Sequence, residues 1–151
     1  MPTTTTWILI ADGARAKVLK HQGRGGELEP ALDEDMVGMA LGHQTKDLVS
    51  DQPGETKDRA GFAQRRMDPP MEPQRYAKLS FARDVARMLT EALNRGEYDR
   101  LVICAPPKAL GDLRQELPTT VRDRVVAEIN KDLTTMPDNE LKEQVREYLN
   151  L

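Results

Sequence analysis

Between Lys57 and Arg66 the chain places Lys57, Arg59, Arg65 and Arg66 against a single acid, Asp58. Phe62 and Gln64 stand among those cations. Ammonium and guanidinium groups neutralise phosphates, an aromatic ring stacks on a base, and an amide hydrogen-bonds to base or sugar. The stretch therefore predicts a nucleic-acid contact made by Lys57, Arg59, Gly61, Phe62, Gln64, Arg65 and Arg66. The competing reading is a solvated loop, in which Glu55, Asp58, Asp68 and Glu72 neutralise the same cations. The chain as a whole offers no attraction to a polyanion, because 22 basic residues face 25 acidic ones for a net charge of −3. Any such binding must be local.

Other reactive residues form weaker patterns. His43, beside Gln44, is a remote candidate for a general base, and Gln64 for positioning a water. Ser50, Asp51 and His43 include the residue types of a hydrolytic triad but fall within one loop, without the strained strand-to-helix elbow that would hold the serine. Asp12, Asp99 and Asp132 lie at expected strand ends, where a two-metal nuclease would need its carboxylates gathered. The two histidines, His21 and His43, have no further ligand at metal spacing, so neither a metal site nor a cofactor is expected. Cys104, the only cysteine, sits in an apolar run and reads as a small hydrophobe.

The elements that must position these residues are legible from periodicity. Thr6 to Ala11 is apolar on both faces, as in a central strand. Asp12-Gly13 predicts a tight type I′ turn into an antiparallel partner from Ala14 to His21. Gly23 to Gly26 makes a second turn, and Glu27 to Asp33 a third, weaker strand. From Glu34 to Glu72 there is no sustained period, and a stretch that long is expected to be functional or disordered. A helix follows, with Tyr76, Leu79, Ala82, Val85, Ala86, Leu89, Ala92 and Leu93 as its apolar stripe and Gly96 as its stop. Leu101 to Ala105 is a buried strand ended by Pro106 and Pro107; Leu110, Leu113 and Leu117 mark a short helix before Pro118. Arg124 to Asn130 reads as another strand. Thr135 is the expected start of a last helix with the stripe Leu141, Val145, Tyr148 and Leu149.

An antiparallel meander followed by strand–helix alternation implies a mixed α/β sheet covered by helices, in an RNase H-like plan. A length of 151 residues suits one domain, spanning 1–151, that buries roughly two-thirds of its unfolded surface. A lone cysteine, no basic leader at Met1 to Thr6, and apolar runs too short for a bilayer predict a cytoplasmic protein with no membrane partner.

Four segments together resemble the bacterial host attachment protein family: WILIADGARAK from Trp7, DLVSDQPG from Asp47, LVICAPPKALG from Leu101 and VAEINKDL from Val126. The resemblance runs from about Trp7 to Leu149. It implies a fold similar to the middle domain of archaeal and eukaryotic peptide-chain release factors, whose Gly-Gly-Gln loop positions a water on the peptidyl-tRNA ester. The matching place here is RAGFAQRR from Arg59 to Arg66, where Phe62 and Ala63 separate Gly61 from Gln64. A backbone able to approach an ester closely is thereby lost.

The leading expectation is a non-catalytic binding module whose partner is RNA or the ribosome, reached through residues 57–66. One alternative is a hydrolase of peptidyl-tRNA or a similar ester, using Gln64. Another is a protein-interaction module whose part in host attachment is indirect. The oligomeric state is left open by the sequence.

Overall fold

A computed structural model of the chain describes residues 4–23, 26–38 and 72–149. Its elements, in chain order, are β1 (Thr5–Ala11), β2 (Arg15–Gln22), β3 (Glu29–Pro30), β4 (Met36–Val37), α1 (Pro73–Asn94), β5 (Arg100–Cys104), α2 (Pro107–Glu116), α3 (Thr119–Arg122), β6 (Val125–Ile129) and α4 (Asp138–Leu149). The strands form one mixed sheet in the order β3-β2-β1-β5-β6, with β4 also paired to β2. β1 and β2 are antiparallel, whereas β1, β5 and β6 run parallel. The sheet is thus mixed α/β, as the opening hairpin and later strand–helix alternation predict.

Both faces of β1 and β5 are covered because Trp7 to Ala11 and Leu101 to Cys104 are apolar at every position, and period two sends alternate side chains to opposite layers. Trp7, Leu9, Ala11, Leu101, Ile103 and Ala105 pack with α1, α2 and Val121 on one face. Ile8, Ile10, Val102 and Cys104 pack with Leu133 and α4 on the other. α1 ends where Gly96 takes a left-handed φ of 73°, which carries almost no penalty without a Cβ. The Trp7 and Tyr98 rings stack at 4.9 Å, and the Tyr98 hydroxyl donates to the Leu89 carbonyl at 2.7 Å. That pair ties the end of α1 to the sheet.

Several expectations are corrected. The β1–β2 turn is not type I′: Asp12 N–H donates to the Arg15 carbonyl, so Gly13 and Ala14 are its central residues, and Gly13 is not left-handed. The Asp12 carboxylate accepts from the N–H groups of Ala14 (2.8 Å) and Arg15 (2.9 Å), giving the chain its reversal through a side chain instead of a positive φ. A Cβ at Gly13 would stand 2.9 Å from the Lys78 side chain, which is exposed and can move aside. The third strand of the meander is broken into β3 and β4, so pairing resumes inside the stretch expected to be irregular from Glu34. A bend across 31–34 allows it by swinging the chain back onto β2.

On α1 the buried stripe is set by Ala77, Phe81, Ala82, Val85, Ala86, Leu89 and Ala92, while Tyr76 is 52 % exposed. In the first turns of the helix the buried position is Ala77, next to Tyr76 in the chain. α3 has no sequence signal beyond Pro118. α4 begins at Asp138, not Thr135, because Leu133 is plugged into the core and Met136 N–H turns back to the Leu133 carbonyl at 3.2 Å. Tyr148 lies off the buried stripe of Leu141 and Val145, at 38 % exposed.

Candidate functional site

In open α/β sheets, ligand sites gather at the carboxyl ends of parallel strands, where the strand order reverses. Here that place is the end of β1, between antiparallel β2 and parallel β5. Asp12 stands there with four donors. Besides the two backbone N–H groups, Arg15 Nε donates at 3.2 Å and the Thr134 hydroxyl at 3.1 Å. Thr134 N–H donates to Asp132 at 3.0 Å, and its single hydroxyl proton is shared between Asp12 and Asp132 (2.6 Å), so one threonine links the loops that leave β1 and β6. Burial by itself raises the Asp12 pKa, but these hydrogen bonds outweigh it and hold the carboxyl below its ordinary range. A carboxylate that is both weakly basic and engaged on this scale is a poor proton acceptor. Its evident work is to hold the turn.

Two further ion-pair systems brace the same end of the sheet. Arg75, in the first turn of α1, meets buried Asp112 of α2 in a two-point pair, 2.9 Å and 2.5 Å. This bidentate contact locks the two helices together, and Asp112 raises the Arg75 pKa by accepting its hydrogen bonds. Lys17 of β2 sits 3.2 Å from both Asp35 and Asp138. Burial alone lowers its pKa, yet the bonds to Asp138 and Asp35 raise it further. Between Gly13, Lys78, Phe81 and Asp112 the notch at the tip of β1 narrows to about 10 Å³, room for roughly one water.

Gly38, the last described residue before 39–71, lies at this end. Gly38 donates its N–H to the Ala14 carbonyl at 2.6 Å, and its Cα lies against Phe81 so closely that a Cβ would be 2.8 Å from the ring. Lys78 covers Gly13. Glu72 precedes Phe81 by nine residues, about 13 Å of helix at 1.5 Å per residue. Gly38→Ala is expected to push the buried Phe81 ring out of place and to lower unfolding free energy by about 1–3 kcal/mol. Urea denaturation tests this, and an unchanged midpoint would show that the ring yields freely.

The residues expected to bind nucleic acid, Lys57, Arg59, Gly61, Phe62, Gln64, Arg65 and Arg66, lie outside the described residues, as do His43, Ser50 and Asp51. The three strand-end acids are not brought together. Asp12 and Asp132 share Thr134, whereas Asp99 is at the opposite end of the sheet, accepting from Thr5 N–H at 2.8 Å. Among the described residues no three His, Cys, Asp or Glu side chains are spaced to hold a metal. Cys104 is fully buried and its pKa is pushed up to about 12, as suits a small hydrophobe. No helix among the described residues is long and apolar enough to cross a membrane. Thr134, Arg75 and Asp112 had no local signal, because each is defined by a partner 37 or more positions away.

The model of a family described as proteins required for attachment to host cells matches residues 7–145. The chain belongs to that family. The match takes in the Asp12 turn, the segment 39–71 and the loop after β6, so the braced end of the sheet is a feature of a host attachment protein. No curated protein matches the chain. Among solved structures, a crystal structure of the Aquifex aeolicus member of the Ppx/GppA protein family is similar at 12 % identity and a TM-score of 0.36. That likeness covers 85 % of this chain and 35 % of the other, so this host attachment protein spans about a third of that structure's length.

Proposed function

We propose that this host attachment family member is a cytoplasmic binding module that contacts RNA or the translation machinery through residues 57–66. The observation that carries the reading is the excess of four cations over one acid in that stretch, with Phe62 and Gln64 among them. Its support from the fold is the mount. Both stems of the segment, Gly38 and the start of α1, are tied to the Asp12 end of the sheet, and Arg75 beside the second stem is already held by Asp112. A rigid mount limits the ordering entropy that a phosphate-binding segment must lose on contact. The strand order, with β2 antiparallel between β3 and β1, favours an RNase H-like plan and the release-factor-like ancestry that goes with it.

Replacing Arg65 and Arg66 by Ala is expected to lower affinity for single-stranded RNA or for ribosomes about tenfold at moderate salt. It should also flatten the logarithmic salt dependence by about 1.4, at roughly 0.7 for each lost phosphate contact. Filter binding and ribosome co-sedimentation across a salt series measure both quantities. Equal affinity and slope for the parent and the double variant would remove the basis for the proposal.

A further inference from the structure

The two faces of the sheet are covered unequally. On the first, α1 buries seven side chains and α2 four, Leu117 and Val121 add to them, and the Arg75–Asp112 pair locks the two helices together. On the second, Ile8, Ile10, Leu19, Val102 and Cys104 are each 3 % exposed or less. Apart from Leu28 and the side chains of β6, what packs over them is one contiguous stretch, Leu133 to Leu149. That stretch buries three apolar side chains, Leu133, Leu141 and Val145, while Met136 and Leu149 are partly buried.

Among the described residues, two polar contacts tie the stretch to the strands it covers. The Thr134 hydroxyl reaches Asp12 at 3.1 Å, with its one proton shared with Asp132. Lys17 Nζ meets Asp138 at 3.2 Å, but the Asp138 side chain is 71 % exposed. A pair so open to water contributes little, so the hold on α4 is chiefly the burial of Leu141 and Val145. A helix of twelve residues is marginal by itself in water, and docking is what keeps it formed. Upstream, Ala105 N–H donates to the Ile129 carbonyl at 3.0 Å and fixes the end of β6, whereas Asn130, Lys131 and Asp132 are all exposed. The chain can therefore swing at those three residues without disturbing the sheet.

Opening free energies differ along a chain, and the lowest belong to units with few buried apolar contacts. We infer that residues 133–149 are a strap, which lifts from the sheet as one unit while the strands and the helices of the other face stay folded. Lifting bares a continuous apolar strip made of Ile8, Ile10, Leu19, Val102 and Cys104. Both polar ties of the strap lie at the Asp12 end of the sheet, and Lys17 also meets Asp35, three residues before Gly38. The strap is thus latched where the first stem of segment 39–71 is held. The closed form dominates and the lifted form is a minor state. This inference does not rest on the RNA reading.

Cys104 is the only cysteine, is fully buried, and packs in the same cluster as Leu141 and Val145, so its labelling reports lifting. In the native full-length chain, reaction with a small disulfide reagent should run about a thousand- to ten-thousandfold slower than at an exposed thiol. Its rate should climb only shallowly with urea, at less than about half the slope of global unfolding, because lifting exposes a fraction of the surface. In hydrogen exchange of the same protein, α4 amides should exchange at least about tenfold faster than the slowest amides of β1 and β5. Val145→Ala should speed Cys104 labelling about tenfold or more, and Asp138→Asn about twofold. Leu113→Ala, on the other face, destabilises the closed and lifted forms alike, so it should lower the urea midpoint yet leave labelling within about twofold. Labelling that carries the full global urea slope overturns the proposal. So do α4 amides as slow as those of β1 and β5, or equal acceleration by Leu113→Ala and Val145→Ala.

Discussion

Raising the pH from 8 to 12 is expected to unfold this protein, beginning near pH 9. Burial pushes the Cys104 thiol from 9.0 up to about 12. Burial also pushes the Tyr98 phenol from 10.0 up to about 12, against a small opposing effect of Arg124. A group whose pKa is higher folded than unfolded contributes stability that is complete below its unfolded value and lost as pH climbs through its folded one. The window is therefore pH 9–12 for the thiol and 10–12 for the phenol. At about 1.4 kcal/mol per pH unit, the two together remove on the order of 5–7 kcal/mol by pH 12, comparable to the stability of a whole domain. Lys17, also raised by its two aspartates, adds to the same limb. Thermal melts followed by circular dichroism should decline from pH 9, and Cys104→Ala should delay the onset by about one pH unit. Rapid modification of Cys104 by a thiol reagent in the native protein at pH 9, or a melting temperature flat to pH 11, would refute the burial on which this rests.

At the acid end, Asp12→Ala should be the most damaging single change outside the apolar core. The carboxylate is 17 % exposed and takes hydrogen bonds from two backbone groups, a guanidinium and a hydroxyl. Charge-assisted bonds of this kind contribute about 1.5–3 kcal/mol each in net terms, and several of these donors can turn to water when the acceptor is lost. A loss of roughly 2–4 kcal/mol at pH 7 is expected. Because the folded pKa of Asp12 is depressed, its contribution is present above the unfolded value of 3.8 and fades as pH falls through the folded one. Asp12→Asn should accordingly fall short of the parent at pH 6–7, and the gap should close as pH falls below the unfolded value of 3.8. Guanidinium titrations at a series of pH values measure the gap; a gap independent of pH would mean that the charge of Asp12 contributes nothing.

The two effects show why much of the fold could be read in advance and part of the site could not. Trp7 to Ala11 and Leu101 to Ala105 are apolar at every position, and only a strand covered on both faces accommodates that. Likewise Gly96 stops α1 and Pro106 stops β5 through their own backbone chemistry. Asp12-Gly13 announced a reversal correctly but not its geometry, since the choice between left-handed backbone and a carboxylate cap depends on donors that gather only after folding. Tyr76 is 52 % exposed although it falls on the stripe, because helical spacing reveals which residues share a stripe but not which of them the packing covers.

Local residue types and periods thus determined the order of strands and helices, the two-layer core and the cluster of cations from Lys57 to Arg66. Tertiary structure decided that Asp12 meets Thr134, that Arg75 is spent on Asp112, and that Val126 on β6 is left exposed. Each of the first two joins residues separated by 37 or more positions. Periodicity acts over one or two turns of chain, whereas a carboxylate's partners and a strand's free side are properties of what lies across the sheet.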